Sequence, residues 1–248
     1  MASTVRILGL DFFQGTVAEA VAAARAGGLV MAPSGPGLAE LPDDADYRAA
    51  LAAADLRLLD SGLLAWLWEA RHHRKLDRIS GYLFLQEFLQ IPEMSNPSAS
   101  LWVAPTDAAA ARTRAWLAER RGLVSPTGCW HVAPVYPRTP VRDETLLTLV
   151  RAQRPRFIII GVGSGPQEKL GAWLKGELDY QPAILCTGAA IAFLTGEQAR
   201  IPAWADRARL GWLWRCVSEP RKFVPRYWRA RKLAALYRRY GDHAPAAN

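Results

Sequence analysis

The sequence predicts an α/β fold in which a parallel sheet is flanked by helices and a basic helical appendage follows. Through residues 1–195, short aliphatic or β-branched runs alternate with longer helical stretches, the order that builds a parallel sheet with covered faces. Two of the runs, "RFIIIG" and "PAILCTG", are apolar without alternation, as strands buried on both faces are. After about Gly196 the composition turns Trp- and Arg-rich. We therefore read 1–195 as a Rossmann-like core and 196–248 as a basic, amphipathic appendage.

The expected elements follow in order. Strands are predicted over 5–10 ("VRILGL"), 28–32 ("GLVMA"), 56–60 ("LRLLD"), 100–104 ("SLWVA"), 157–162 ("FIIIGV") and 183–187 ("AILCT"). Helices are predicted over 17–26, 45–54, 63–70, 81–89, 106–121, 143–153 and 166–175. The turn-rich stretch "IPEMSNPSAS" (91–100) is read as a connection.

Half of the 248 residues are hydrophobic and 22% are charged, enough apolar surface for one core. No apolar run approaches the roughly 20 residues of a membrane span, and the N-terminal stretch does not read as a secretory signal. Cys129, Cys186 and Cys216 are too scattered for a disulfide framework, so a reducing, cytoplasmic compartment is expected. The net charge of +8 is unevenly placed. From Arg200 onward there are 12 Lys+Arg against 3 Asp+Glu, a surplus of 9, so the first 199 residues carry 19 against 20. A near-neutral body with a cationic tail suits a polyanionic surface, either nucleic acid or anionic lipid.

In an open parallel sheet, ligands gather beyond the carboxyl ends of the strands. The segments there are "APSGPG" (32–37), "DSG" (60–62), "APTD" (104–107), "GVGSGPQEK" (161–169) and "CTGAA" (186–190). The fourth lacks dinucleotide spacing, reading G-x-G-x-G, and no acid ends the next strand, so no nicotinamide cofactor is expected. It does read as a glycine-rich turn opening a helix at Pro166, with amides free for an anion. Asp60 has two readings, a helix cap and a carboxylate placed to take a proton. His72 and His73 read as solvated surface, and His131 in "GCWHVAPVYP" as an isolated loop histidine. The D-x-D of "DDAD" (43–46) reads as a solvated helix start rather than a metal site.

Residues 161–229, from "GVGSGPQEKLGAWL" through "CTGAAIAFLTGEQARIPAWADRARLGWLWRCVSEPRKFVPRYW", resemble the second half of the WecG/TagA/CpsF glycosyltransferase family. In the first half, "ILGLDF", "ADLRLLDSG" and "DRISGYLFLQEFL" agree more loosely. The resemblance implies a metal-independent, inverting enzyme that moves a hexose or N-acetylhexosamine from a UDP-sugar to a polyprenyl-diphosphate-linked sugar. It implies work on bacterial surface polysaccharide, at the cytoplasmic face of the cell membrane. Cofactors are not implied; the UDP-sugar is a substrate. Asp60 corresponds to the family's proposed base and Gln167 to the glutamine of its P-x-Q-E turn. Arg215, Arg221 and Arg226 correspond to tail arginines thought to reach the diphosphate. With the turns, the candidate substrate-contacting set is Ser34, Arg78, Ser80, Gly161, Gly163, Gln167, Thr187, Gly188 and those three arginines. The chain departs from the family at "APSGPG", at Ser61 and at "APTD", all on the ligand edge, so the donor sugar stays open and a degenerate, non-catalytic member is the alternative.

The tail "RYWRARKLAALYRRY" (226–240) reads as a helix with Phe223, Tyr227, Ala230, Ala234 and Tyr237 on one face. Leu236 and Trp228 interrupt its polar face. Rings and long cations suit a lipid headgroup layer. Packing on the core with a solvated basic face is the plain alternative, and nucleic-acid binding a third that the resemblance disfavours. A homo-oligomer is compatible with the sequence.

Overall fold

A computed structural model describes residues 3–197, 211–218 and 220–246. The predicted first strand is in fact a hairpin. β1 (Ser3–Ile7) and β2 (Leu10–Gln14) pair antiparallel around Leu8 and Gly9, which both adopt positive φ, 53° and 77°. A two-residue turn needs that left-handed backbone to match the strand twist. Thr16 then caps α1 (Val17–Arg25) reciprocally with Glu19.

The sheet strands are β3 (Gly28–Met31), β4 (Leu56–Arg57), β5 (Ser100–Ala104), β6 (Trp130–Val132), β7 (Phe157–Ile160) and β8 (Ala183–Cys186). They lie in the order β4-β3-β8-β7-β5-β6, and all neighbours are parallel. The α/β expectation with a parallel sheet therefore holds. β4 and β7 end earlier than predicted, and β6 was not predicted. Its three residues carry a tryptophan, a histidine and a valine, too short a run to show a period.

Between the strands lie α2 (Gly35–Leu38), α3 (Ala45–Ala52), α4 (Gly62–His72), α5 (Gly81–Phe88), α6 (Asp107–Arg121), α7 (Glu144–Gln153), α8 (Pro166–Glu177) and α9 (Ala190–Leu194). α10 (Gly211–Ser218) and α11 (Pro220–Tyr240) complete the described chain. Strand side chains alternate between two cores. Leu29, Met31, Val103, Ile160 and Cys186 face α3, α7 and α8, while Val30, Trp102, Ile159 and Leu185 face α1, α5 and α6. Both faces are covered, which is why "FIII" and "AILC" show no alternation.

The far end of α11 is part of the first core. Leu233 is fully buried, Tyr237 nearly so, and Leu236 and Tyr240 pack against them. Leu236, read in the sequence as breaking a polar face, thus belongs to the apolar face of this half-helix. Beyond the helix, the Leu8 and Gly9 amides of the hairpin turn donate to the Gly241 and Asp242 carbonyls at 3.0 and 2.9 Å. His72 is not simply solvated: it stacks on Trp68 and lies 3.3 Å from the Asp242 carboxylate.

"DDAD" is structural. The Asp44 carboxylate caps α3 through the Tyr47 amide and takes a 2.7 Å hydrogen bond from the buried Lys169 of α8. Burial pushes the Asp44 carboxyl up, but Lys169 and the Tyr47 amide outweigh it and hold the group below its ordinary range. A depressed native pKa gives stability that is complete above the unfolded value, near 3.9, and is lost as pH falls through the native one. Thermal melts should therefore drop in midpoint below about pH 4, and Asp44→Asn should flatten part of that acid slope.

Candidate active site at the carboxyl edge of the sheet

β7 sends the chain inward to β8, whereas its neighbour β5 sends it outward to β6. Connections that diverge from adjacent strands leave a crevice at their carboxyl ends, the place where open α/β sheets hold ligands. The turns 104–107 and 161–165 flank that crevice. The turns after β3, β4 and β8 continue the same edge.

Asp60 lies three residues past the end of β4 and is half-buried. It is not the cap of its own helix: the Ser61 hydroxyl caps α4 by accepting from the Leu64 amide at 3.2 Å. The Asp60 carboxylate instead accepts the first amide of α5, from Gly81, at 3.1 Å. Arg78 donates to the Asp60 carbonyl at 3.0 Å. The carboxylate is thereby fixed across the edge from β4 toward the centre of the sheet.

Gly81 is what permits this. A β-carbon there would lie 2.7 Å from the Thr187 carbonyl oxygen and 3.1 Å from the Ala32 side chain. α5 can thus begin in contact with the turns after β3 and β8 only because residue 81 has no side chain. Gly81→Ala should displace the α5 start, lower the melting temperature and weaken any activity that uses Asp60, as a thermal melt and a turnover assay on one preparation would show.

The other candidates separate. The Ser80 hydroxyl is buried and caps α5 through the Leu83 amide. Ser34 caps α2, and its hydroxyl meets that of Ser164 at 3.4 Å, joining the turns after β3 and β7. Gly161 donates to the Val103 carbonyl, tying the turn to β5. Gly163, Gly165 and Gly188 hold positive φ. Thr187 is buried. Gln167 is fully buried, with its amide nitrogen 3.0 Å from the Glu168 carboxylate.

Glu168 changes the reading of the glycine turn. Its carboxylate, itself fully buried, accepts the Gly165 amide at 2.6 Å. One amide of this helix start, that of Gly165, is thus already taken by a carboxylate of the chain itself.

Arg221 is exposed on α11. The side chains of Arg215 and Arg226 lie outside the described residues. The axis of α11 is defined by its packing: Leu233 approaches Gly35, itself against Ser61, and Tyr237 and Gly241 approach Arg71 at the far end of α4. α11 and α4 therefore run side by side in the same direction. The first half of α11 continues past Ser61, beyond the carboxyl edge, by about 1.5 Å per residue.

The family match decides the class of the chain. A family model described as "Glycosyl transferase WecG/TagA/CpsF family" matches residues 5–242. The chain belongs to the WecG/TagA/CpsF glycosyltransferase family. No curated protein matches it. The family match runs from β1 past the end of α11, so the sheet and the basic helix are both parts of one glycosyltransferase chain. Such an enzyme takes a sugar donor and an acceptor.

A cavity of about 370 Å³ opens at the opposite, amino edge, lined by Gly28, Lys175, Leu178, Asp179, Tyr180 and Gln181. Its charged groups are engaged, Lys175 with Asp55 and Asp179 with Arg154. It lies far from Asp60 and from every strand's carboxyl end. Among the described residues, no group of three or more His, Cys, Asp or Glu side chains could hold a metal ion, and no helix is long and apolar enough to cross a membrane.

Sequence reasoning missed Gly81, Ser164 and the partner of His131. The β6 histidine is not alone: its Nε2 lies 2.7 Å from the Asp143 carboxylate. Gly81 and Ser164 have no signal of their own, since each matters through a contact distant in sequence.

Proposed function

We propose that the chain is an inverting glycosyltransferase that carries a hexose or N-acetylhexosamine from a UDP-sugar to a polyprenyl-diphosphate-linked sugar. The observation that carries the reading is the Asp60 carboxylate, oriented at the carboxyl edge by the Gly81 amide.

Asp60 takes the proton of the acceptor hydroxyl as that oxygen attacks the anomeric carbon from the face opposite the diphosphate. The bond between the anomeric carbon and UDP breaks, and UDP leaves with its electrons. Negative charge grows on the diphosphate, and guanidinium groups answer it best because they are planar, always charged and bidentate. Arg78 at the edge and the arginines of α11 are the groups for that role. The acceptor is a lipid, so the chain works against the inner face of a bacterial membrane. Trp228, 64% exposed and covered by the Arg231 guanidinium at 4.1 Å, suits a headgroup layer.

The test is UDP release from a panel of UDP-sugars in the presence of a short polyprenyl-diphosphate-sugar. Acceptor-dependent release from one donor supports the reading, and no release from any donor sinks it. Co-sedimentation with anionic vesicles should weaken in the double variant Trp228→Ala, Arg231→Ala, which leaves the buried Leu233 and Tyr237 in place; unchanged binding would remove this face of α11 as the anchor.

A further inference from the structure

We infer that His131, held by Asp143, is the nucleobase-reading residue of the donor cleft and selects a base that offers a ring N–H, as uracil does. The inference rests on the proposed UDP-sugar reading and adds to it a subsite on β6.

The register of the sheet places His131 on the ligand edge. It pairs with Val103, which pairs with Ile160, which pairs with Cys186 and so with Met31. Ile160, Cys186 and Met31 are the last residues of their strands, and Val103 and His131 each stand one residue before the end of theirs. In-register side chains of a parallel sheet point to one face, so His131 stands on the face of Val103 and Ile160, beside the β5/β7 crevice. Gly81, which holds Asp60, touches the turn directly after β8. From β8 to β6 is three strand spacings, about 14 Å. Asp60, reached through Gly81, and His131 therefore stand toward opposite sides of the β5/β7 crevice.

The chemistry of the ring is set by its neighbours. The Asp143 carboxylate is 96% buried on its side chain and fully engaged. One oxygen accepts the Leu146 amide at 2.9 Å, capping α7, and the other accepts the Tyr136 hydroxyl at 2.8 Å and faces His131 Nε2 at 2.7 Å. Such a carboxylate accepts, so Nε2 carries the proton and donates. In the neutral ring this leaves Nδ1 as an acceptor. Nδ1 has no partner among the described residues, although the His131 side chain is only 11% exposed. A largely shielded, oriented acceptor at the sheet edge recognises a donor N–H. Uracil presents one at N3, whereas cytosine has a bare acceptor there and would leave Nδ1 unpaired, which is how a polar site rejects the wrong partner.

A tether between β6 and α7 alone would explain the His131–Asp143 contact, so the test must separate the two roles. His131→Gln places its amide nitrogen where Nε2 lies, keeping the bond to Asp143, but removes the Nδ1 acceptor. Binding of UMP and CMP to the full chain and to this variant is measured by calorimetry. The wild-type chain should prefer UMP, and His131→Gln should melt near the wild-type temperature and lose about tenfold in UMP affinity, with CMP unchanged. An unchanged UMP preference in the variant overturns the inference. The chain has four histidines, so the imidazole nitrogens are also resolvable by NMR without any substitution. Saturating UMP should move the His131 Nδ1 resonance and CMP should not; a resonance that stays still while UMP binds overturns the inference as well. Failure of the wild-type chain to bind UMP or UDP at all is the separate result that removes the UDP-sugar reading beneath it.

Discussion

Asp60→Asn is expected to reduce sugar transfer by about 10²–10⁴-fold, the range that general-base groups contribute, with donor affinity close to wild type. The variant is a clean one because of where the carboxylate is held. Its Oδ1 accepts the Gly81 amide, and the amide oxygen of asparagine can accept the same bond. Arg78 bonds the backbone carbonyl of residue 60, which the substitution does not touch. The α4 cap belongs to Ser61. The substitution therefore removes basicity and charge while leaving the α5 start and the α4 cap in place. An effect on kcat with little change in the donor's KM would match removal of a proton acceptor used in the transition state. A variant turning over near the wild-type rate would take Asp60 out of the mechanism.

The second large effect is expected at Leu233. This side chain is fully buried against Gly35 and the main core, and it fixes α11 beside α4. Leu233→Ala should cost about 2–5 kcal/mol by removing buried methyl groups and leaving a cavity. Leu233→Asp should cost more, because it puts an unpaired charge among Leu64, Tyr237 and their neighbours. The functional signature should be selective. With α11 undocked, transfer to a membrane-embedded acceptor falls steeply, while UDP binding at the strand ends weakens only by the share that the α11 arginines contribute. Equal loss of both would mean that α11 supports the sheet rather than the acceptor side of the site.

The sheet and most of its helices were legible because strands buried on both faces, such as "FIII" and "AILC", leave an unmistakable apolar run. The N-terminal hairpin was not, since Leu8 and Gly9 look like part of one run and only the positive φ at both reveals a turn. β6 was too short to declare itself. On α11 the predicted face was right at Tyr237 but missed Leu233, which is fully buried where Ala234 is only half-buried; the side chains of Phe223, Tyr227 and Ala230 lie outside the described residues. Asp60 was legible as a residue at a strand end. Its orientation was not, because the group that orients it lies 21 residues away on another helix. The same distance effect hid Asp143 from His131.

Hydrogen exchange on the full chain with and without UDP tests the central claim most directly, since it reports which edge of the sheet the donor touches. The account predicts slowed exchange at the turns 32–37, 60–62, 161–165 and 187–189 and at the Gly81 amide, with no change around Gly28, Lys175 and Tyr180. Protection confined to that amino-edge cavity, with the Gly81 amide unchanged at saturating UDP, would contradict it.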